Sequence, residues 1–370
     1  MRRLTFWEAV FLLVGTQIGA GILGLPKVVA GLGTFWGSAA IFLAGVLTLF
    51  TAIFLLEALY QTNPRYHIYD LSRHYLGKIG IILTLAVLYS GYGALTAYIG
   101  GMAEILESVF GIPAVIGGVA FWIIFGAIVY RGLKLSGVTE EALNLFMLLL
   151  LATIVVWVLP HSSTYVRPFD LSKFFTAFSV AVFAFFGHVV IPEIAREFRN
   201  PYKSAAVVVT AFSITLLVYL VFSLSIAGVT KENTTDIATE GLIPILGKYF
   251  ALVAYAFPVL TISTSFIGVG LGQVDILREI IRNKHVAWIL ALLPPLLLFV
   301  LGFRAFVETI FLSSLGLLIA GGILPPILFI LSRRHHRPIY YIDTRFAYVV
   351  LAFFVLVLIH SAYSALSLLF

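Results

Sequence analysis

Apolar residues fill this chain in blocks of roughly 18 to 28, and its polar and charged residues are confined to the short intervals between them. The hydrocarbon core of a bilayer takes about 20 residues of helix to cross, so each block predicts a membrane-spanning helix. The blocks lie near residues 5–31, 34–60, 79–107, 113–130, 139–159, 171–198, 203–229, 244–275, 285–301, 304–331 and 344–370, giving eleven helices and an all-α integral membrane protein. The first block is too long, and followed by too many others, for a cleaved signal. With the N terminus inside and the helices alternating, seventeen Lys and Arg fall on that side, among them Arg2, Arg3, Arg73, Lys134, Arg199 and Arg333, and five on the other. Basic loops are retained on the cytoplasmic face. The bias predicts a multi-pass protein of the cell (inner or plasma) membrane, N terminus cytoplasmic and C terminus external.

Two blocks are interrupted. Gly15, Gly19, Gly21, Gly24 and Pro26 fall within twelve residues of helix 1, too many helix breakers for a continuous helix. Unpaired backbone groups cost several kcal/mol each in hydrocarbon, so such a break faces protein, water or a ligand. A half-helix starting at mid-depth offers N–H groups to an anion, and one ending there offers carbonyls to a cation. The alternative is a packing device, since Gly15 and Gly19 form a small-xxx-small pair. The second break falls in helix 6, where Gly187 and Pro192 interrupt the run from Phe183 to Ile194. Helices 1–5 (about 5–159) and 6–10 (about 171–331) are halves of nearly equal length. Five is odd, so the second half enters from the other face, which predicts a 5+5 inverted repeat with one broken helix leading each half. The transporter core is then 1–331, with a cytoplasmic basic loop and a peripheral eleventh helix over 332–370.

Composition agrees and narrows the chemistry. The chain has 370 residues, 61% apolar and 11% charged, with a mean hydropathy of +1.08. The absence of Cys removes disulfides, thiolate metal sites and cysteine nucleophiles. The +6 net charge is a topology signal and predicts no nucleic-acid partner. Gly19 to Gly24 reads G-A-G-I-L-G, but no strand precedes it, so it is no dinucleotide-binding turn. No His-Glu-x-x-His or intramembrane Gly-x-Ser-x-Gly pattern occurs, and no enzymatic activity is expected.

The segment G-T-Q-I-G-A-G-I-L-G-L-P (Gly15 to Pro26), with A-G-L-G-T (Ala30 to Thr34) and F-L-L-E (Phe54 to Glu57), resembles the bacterial tyrosine and tryptophan permeases. These are hydroxy and aromatic amino acid permeases of the wider amino acid/auxin permease group. T-S-F-I-G-V-G-L-G-Q-V-D-I-L (Thr264 to Leu277) is similar to that family's helix 8 motif, and L-L-P-P-L (Leu292 to Leu296) and I-L-P-P-I-L (Ile323 to Leu328) look like its proline motifs. The resemblance implies a leucine-transporter-like fold, with a substrate site between helices 1, 3, 6 and 8 reached alternately from each side. One departure matters. Bacterial members carry F-H-G where this chain has F-F-G-H (Phe185 to His188), so their substrate preference does not carry over.

On that reading the N–H groups of Ala20, Gly21 and Ile22 face a substrate carboxylate. The carbonyls of Ala184, Phe185 and Phe186 face its ammonium, with the two rings as a wall. Tyr89 and Tyr92 on helix 3 face the site or, alternatively, pack or lie at the lipid interface. Thr261, Thr264 and Ser265 stand at i, i+3 and i+4 of helix 8 and, with carbonyls near Gly15 and Ile18, form a cation site; the alternative is hydroxyls bonded back to their own helix. His188 and Glu193 are the intramembrane titratable residues and candidates for a proton relay, against a neutral ring bonded to a freed carbonyl and an ion pair with Arg196. No cofactor is expected beyond sodium or a proton. The expected function is cation-coupled import of a neutral amino acid by a monomer or weak homo-oligomer in the lipid bilayer. An amino-acid-sensing receptor of the same fold is the alternative.

Overall fold

The computed structural model describes residues 4–132, 137–198, 200–334 and 336–369; of the basic residues tallied above, Arg2, Arg3, Lys134 and Arg199 lie outside the described residues. Helix α1 (Phe6–Gln17) starts at a capping box, in which the Thr5 hydroxyl accepts the Glu8 N–H and the Glu8 carboxylate accepts the Thr5 N–H. It stops where the glycines begin. A 3₁₀ turn (Ala20–Gly24) then leads into α2 (Leu25–Leu32), and the two parts meet at a bend of 49°. Helix α3 (Thr34–Thr62) is continuous. Next come a short α4 (Ile68–Leu76), then α5 (Ile81–Phe110), α6 (Ala114–Arg131) and α7 (Gly137–Val158).

The second half begins with α8 (Leu171–Ala184), which breaks over Phe185–Gly187 and resumes through a 3₁₀ turn (His188–Val190) into α9 (Ile191–Glu197). Helix α10 (Pro201–Thr230) is followed by α11 (Ile243–Leu246), α12 (Lys248–Ile281) and α13 (Lys284–Val300). Helix α14 (Phe306–Leu317) passes through a π-helical turn, Leu318–Ile323, into α15 (Leu324–Arg333), and α16 (Thr344–Leu369) closes the chain. Among the described residues nine helices are long and apolar enough to cross a membrane, ten with the bent α1–α2 pair. With the 17-residue α13, each of the eleven apolar blocks is a helix or a broken pair of helices.

Two features differ from the pattern read in the sequence. Helix α4, short and polar, precedes the third spanning helix and is set off from it by a turn at Gly77–Gly80. The π turn at Leu318–Ile323 has no counterpart in that reading. There Gly321 and Gly322 leave room for the rings of Phe186 and Phe354, where a Cβ would collide.

Contacts between loops match alternate crossings. At one face Thr34 donates its N–H to the Tyr165 carbonyl (3.0 Å), Ser163 to that of Gly228 (3.2 Å), and Lys27 Nζ to that of Thr234 (2.6 Å). At the other, where α1 begins, Tyr130 bonds His285 (2.8 Å) and Gln61 reaches the Arg337 carbonyl (3.0 Å). On that same face Glu57, fully buried on α3, forms a two-pronged pair with Arg333 (2.8 and 3.0 Å) and accepts the N–H groups of Ile339 and Tyr340. A buried carboxylate needs such compensation, and this one ties the α15–α16 loop to α3. Helix α16 shares the main core through Ala347, Val350 and Phe354. Exposed Ile123, Leu149, Leu217, Val349 and Ile359 present the apolar outer surface of a lipid-solvated bundle.

Candidate functional site

The two breaks meet. Gly21 allows the approach: a Cβ there would lie 3.0 Å from the Ala184 Cα and 3.2 Å from the Phe183 ring. Each break frees backbone groups that lose their partners within the helix and must find others. Gln17 Nε2 donates to the Phe185 carbonyl (3.0 Å), and Thr215 donates to Gln17 Oε1 (2.8 Å). The Tyr219 hydroxyl bonds the carbonyls of both Gln17 (2.5 Å) and Ala184 (2.9 Å). On the other side of the break the Ala20 N–H donates to Ser265 Oγ (3.0 Å). Three buried side chains, Gln17, Thr215 and Tyr219, thus hold the ends of α1 and α8 together.

A cavity of about 680 Å³ lies against this junction, walled by α1, α5, α7, α12 and the α8–α9 break. At its closed end are Gly19, Ala20, Gly21, Tyr98, Ala184 and Ser265. From there its lining descends only towards the face where α1 begins, through Leu12, Leu143, Val189 and Ile276. Above the junction the way is filled: a Cβ on Gly24 would lie 3.3 Å from Val307 and 3.8 Å from Phe306. No residue lining the cavity carries a charged side chain, among the described residues.

Of the residues singled out in the sequence, Gly15, Ile18, Ala20, Gly21, Ala184, Phe186, Thr264 and Ser265 line this cavity. The others do not. Ile22 is fully buried, its N–H bonded to the Gly19 carbonyl (3.3 Å). The Phe185 ring packs on Phe212 and Tyr219, on the far side of the break. Tyr89 is 46% exposed, and Tyr92 donates to the Leu290 carbonyl (2.9 Å). Helical phase explains this correction: at about 100° per residue, Tyr89 stands about 180° from Tyr98, and Tyr98 shares the cavity face with Gly91 and Ala94.

Thr261 is buried off the cavity and donates to the carbonyls of Phe257 (3.0 Å) and Pro258 (3.2 Å). Thr264 also bonds back, to Leu260 (2.9 Å), but lines the cavity and keeps lone pairs. His188 is fully buried behind the wall, Nε2 against Thr51 Oγ1 (2.9 Å) and its ring stacked on Phe186. Glu193 is exposed on α9 and does not line the cavity.

The sequence reading passed over Gln17, Thr215, Tyr219, Tyr98, Asn144 and Gln273. Signals existed for some: Gln17 is a polar residue inside the first break, and Thr215 and Tyr219 are spaced i, i+4 and so share one face of α10.

A bundle of membrane-spanning helices, two of them broken where they meet an uncharged cavity open to one face, has the build of a solute permease. The profile of the tryptophan/tyrosine permease family matches residues 2–362, and the chain belongs to that family. It is therefore an amino acid permease. Tyrosine-specific transport system 1 of Haemophilus influenzae is 28% identical over 335 residues, covering 82% of this chain and 81% of that one. Glutamine transporter 2 of Aliivibrio fischeri is 26% identical over 304 residues, covering 77% and 78%. In fold, the chain is similar to the manganese transporter of Eremococcus coleocola, at a TM-score of 0.65 and 13% identity, over 99% of this chain and 88% of that one.

Proposed function

We propose that this permease imports a neutral amino acid, driven by a cation gradient, through alternating access of a 5+5 inverted repeat. The observation that carries this reading is the uncharged cavity at the junction of the two breaks. A zwitterion's carboxylate suits the N-terminal turn at Ala20–Gly24, and its ammonium suits the carbonyls at Ala184 and Phe186. Without a charged wall, a second charge on the substrate side chain would be buried unpaired, at a cost of several kcal/mol. The placement of the two breaks, one leading each half, supports the inverted repeat, and the cavity's opening to one face alone supports alternating access.

Sodium is favoured as the coupling ion because the oxygens available are neutral: carbonyls near Gly15 and Ile18, and the hydroxyls of Thr264 and Ser265. Ser265 then exchanges its bond to Ala20 for the ion. A proton would need a titratable group, and His188 lies behind the wall rather than in it. Uptake of radiolabelled neutral amino acids into proteoliposomes, under a sodium gradient and separately a pH gradient, tests this. The expected result is sodium-dependent uptake that is lost in Thr264→Ala. Proton-driven uptake indifferent to sodium and lost in His188→Ala would overturn the coupling assignment. Ligand binding without counterflow would make the protein a sensor.

A further inference from the structure

Gln273 stands on α12 eight residues beyond Ser265, lines the cavity, and is 3% exposed. Its Nε2 donates to the carbonyls of Val87 (3.3 Å) and Leu88 (3.1 Å) on α5, and this fixes the amide's orientation. The reversed amide would set an acceptor against two acceptors. The Gln273 Oε1 is buried and has no hydrogen-bond partner among the described residues. An orphaned acceptor in so buried a place costs about 1–3 kcal/mol. The chain has made room for it: a Cβ on Gly91 would overlap the Gln273 amide. The hydroxyls nearby are otherwise engaged, Ser90 donating to the Ser313 carbonyl (2.8 Å) and Thr16 to that of Leu12 (2.8 Å).

We infer that Gln273 reads the tip of the transported side chain, its Oε1 accepting a hydrogen bond from a donor there. This deepens the function proposed above and rests on it. With the substrate's carboxylate beside Ala20 and Ser265, the tip points down the cavity towards Gln273. Eight helical residues span about 12 Å. A side chain whose tip lies about 6–9 Å from its carboxylate, with a hydrogen bond of about 2.9 Å at each end, bridges that distance. A phenol, an indole or a terminal amide reaches, whereas the hydroxyl of serine or threonine does not. The ligand class is a long neutral amino acid ending in an O–H or N–H donor.

Binding competition on the purified full-length protein tests this with two pairs of similar shape, tyrosine against phenylalanine and glutamine against methionine. In at least one pair the wild type prefers the donor-bearing member by about tenfold or more, the worth of a buried acceptor satisfied rather than left bare. Gln273→Met, and Gln273→Leu as a second variant, bring that ratio close to one while affinity for phenylalanine or methionine is kept. A ratio unchanged in both variants, or an equal loss for both members of each pair, would overturn the inference and leave Gln273 as a brace between α5 and α12. A wild type without preference would overturn it too. Binding of none of the four ligands would instead overturn the neutral-amino-acid reading beneath it.

Discussion

At the level of single residues, the junction depends on a few groups whose replacement has distinct consequences. Tyr219→Phe leaves the Ala184 carbonyl without its donor and the Gln17 carbonyl with only the Gly19 N–H. A bare buried acceptor costs about 1–3 kcal/mol, so a clear fall in the thermal midpoint in detergent is expected, with no change in the cavity's lining. Gly21→Leu is expected to abolish uptake while the protein still inserts and purifies. The structure supplies a reason beyond close approach to a carboxylate: the new side chain would be driven into Ala184 and Phe183. Wild-type uptake by the Gly21→Leu variant, measured in proteoliposomes, would show that the junction tolerates separation of its two halves.

Among the elements, the face opposite the cavity mouth is closed by a loop rather than by helices alone. Lys27 of α2 bonds the Thr234 carbonyl (2.6 Å) and lies 3.9 Å from Asp236 in the α10–α11 connection. Glu240 sits in the same connection with Oε1 buried and unpartnered, and burial, with Glu104 nearby, raises its pKa from 4.5 to about 7. The protonated form is the one that suits this closed arrangement. Its stabilisation is full below the ordinary value of 4.5 and is lost as pH rises through about 7. The thermal midpoint is expected to be lower at pH 8 than at pH 5, with a smaller difference in Glu240→Gln. An equal slope in the variant would assign the pH dependence to other groups. Helices α3 and α15 are joined differently, by the buried Glu57–Arg333 pair. Glu57→Ala strands a guanidinium that is 7% exposed, at a cost of about 3–5 kcal/mol, which should show as loss of folded protein on heating.

For the whole molecule, the open question with a clean test is which face is cytoplasmic. The chain has no Cys, so single cysteines report without a background. Tyr341, fully exposed between α15 and α16, and Tyr249, 78% exposed at the start of α12, lie on opposite faces. If basic loops are retained inside, an impermeant thiol reagent added to intact cells labels Tyr249→Cys and leaves Tyr341→Cys unlabelled until the membrane is opened. The reverse pattern would turn the cavity mouth outward and make the structure an outward-open one.

What the sequence determined by itself was whatever depends on local composition over a helix length. Eleven apolar blocks could only become helices in hydrocarbon, and the glycines and prolines at Gly15–Pro26 and Gly187–Pro192 could only be breaks, because peptide groups there must pair within their own segment or be compensated. Ala20, Gly21 and Ala184, which line the cavity, were singled out from those breaks, and Ser265 from the hydroxyl spacing on helix 8. What the tertiary structure alone decided was rotation and partnership. Tyr89, Tyr92 and Tyr98 are alike in sequence, and only the packing of α5 says which of them faces the cavity. The freed carbonyls of Gln17 and Ala184 were legible as a need, but their partner, Tyr219, is some 35 residues or more away in the chain and arrives through the packing of α10. Gln273 reads locally as one polar residue near a helix end. Its amide acquires a direction, and an unpaired oxygen, only when Gly91 lets α12 come against α5.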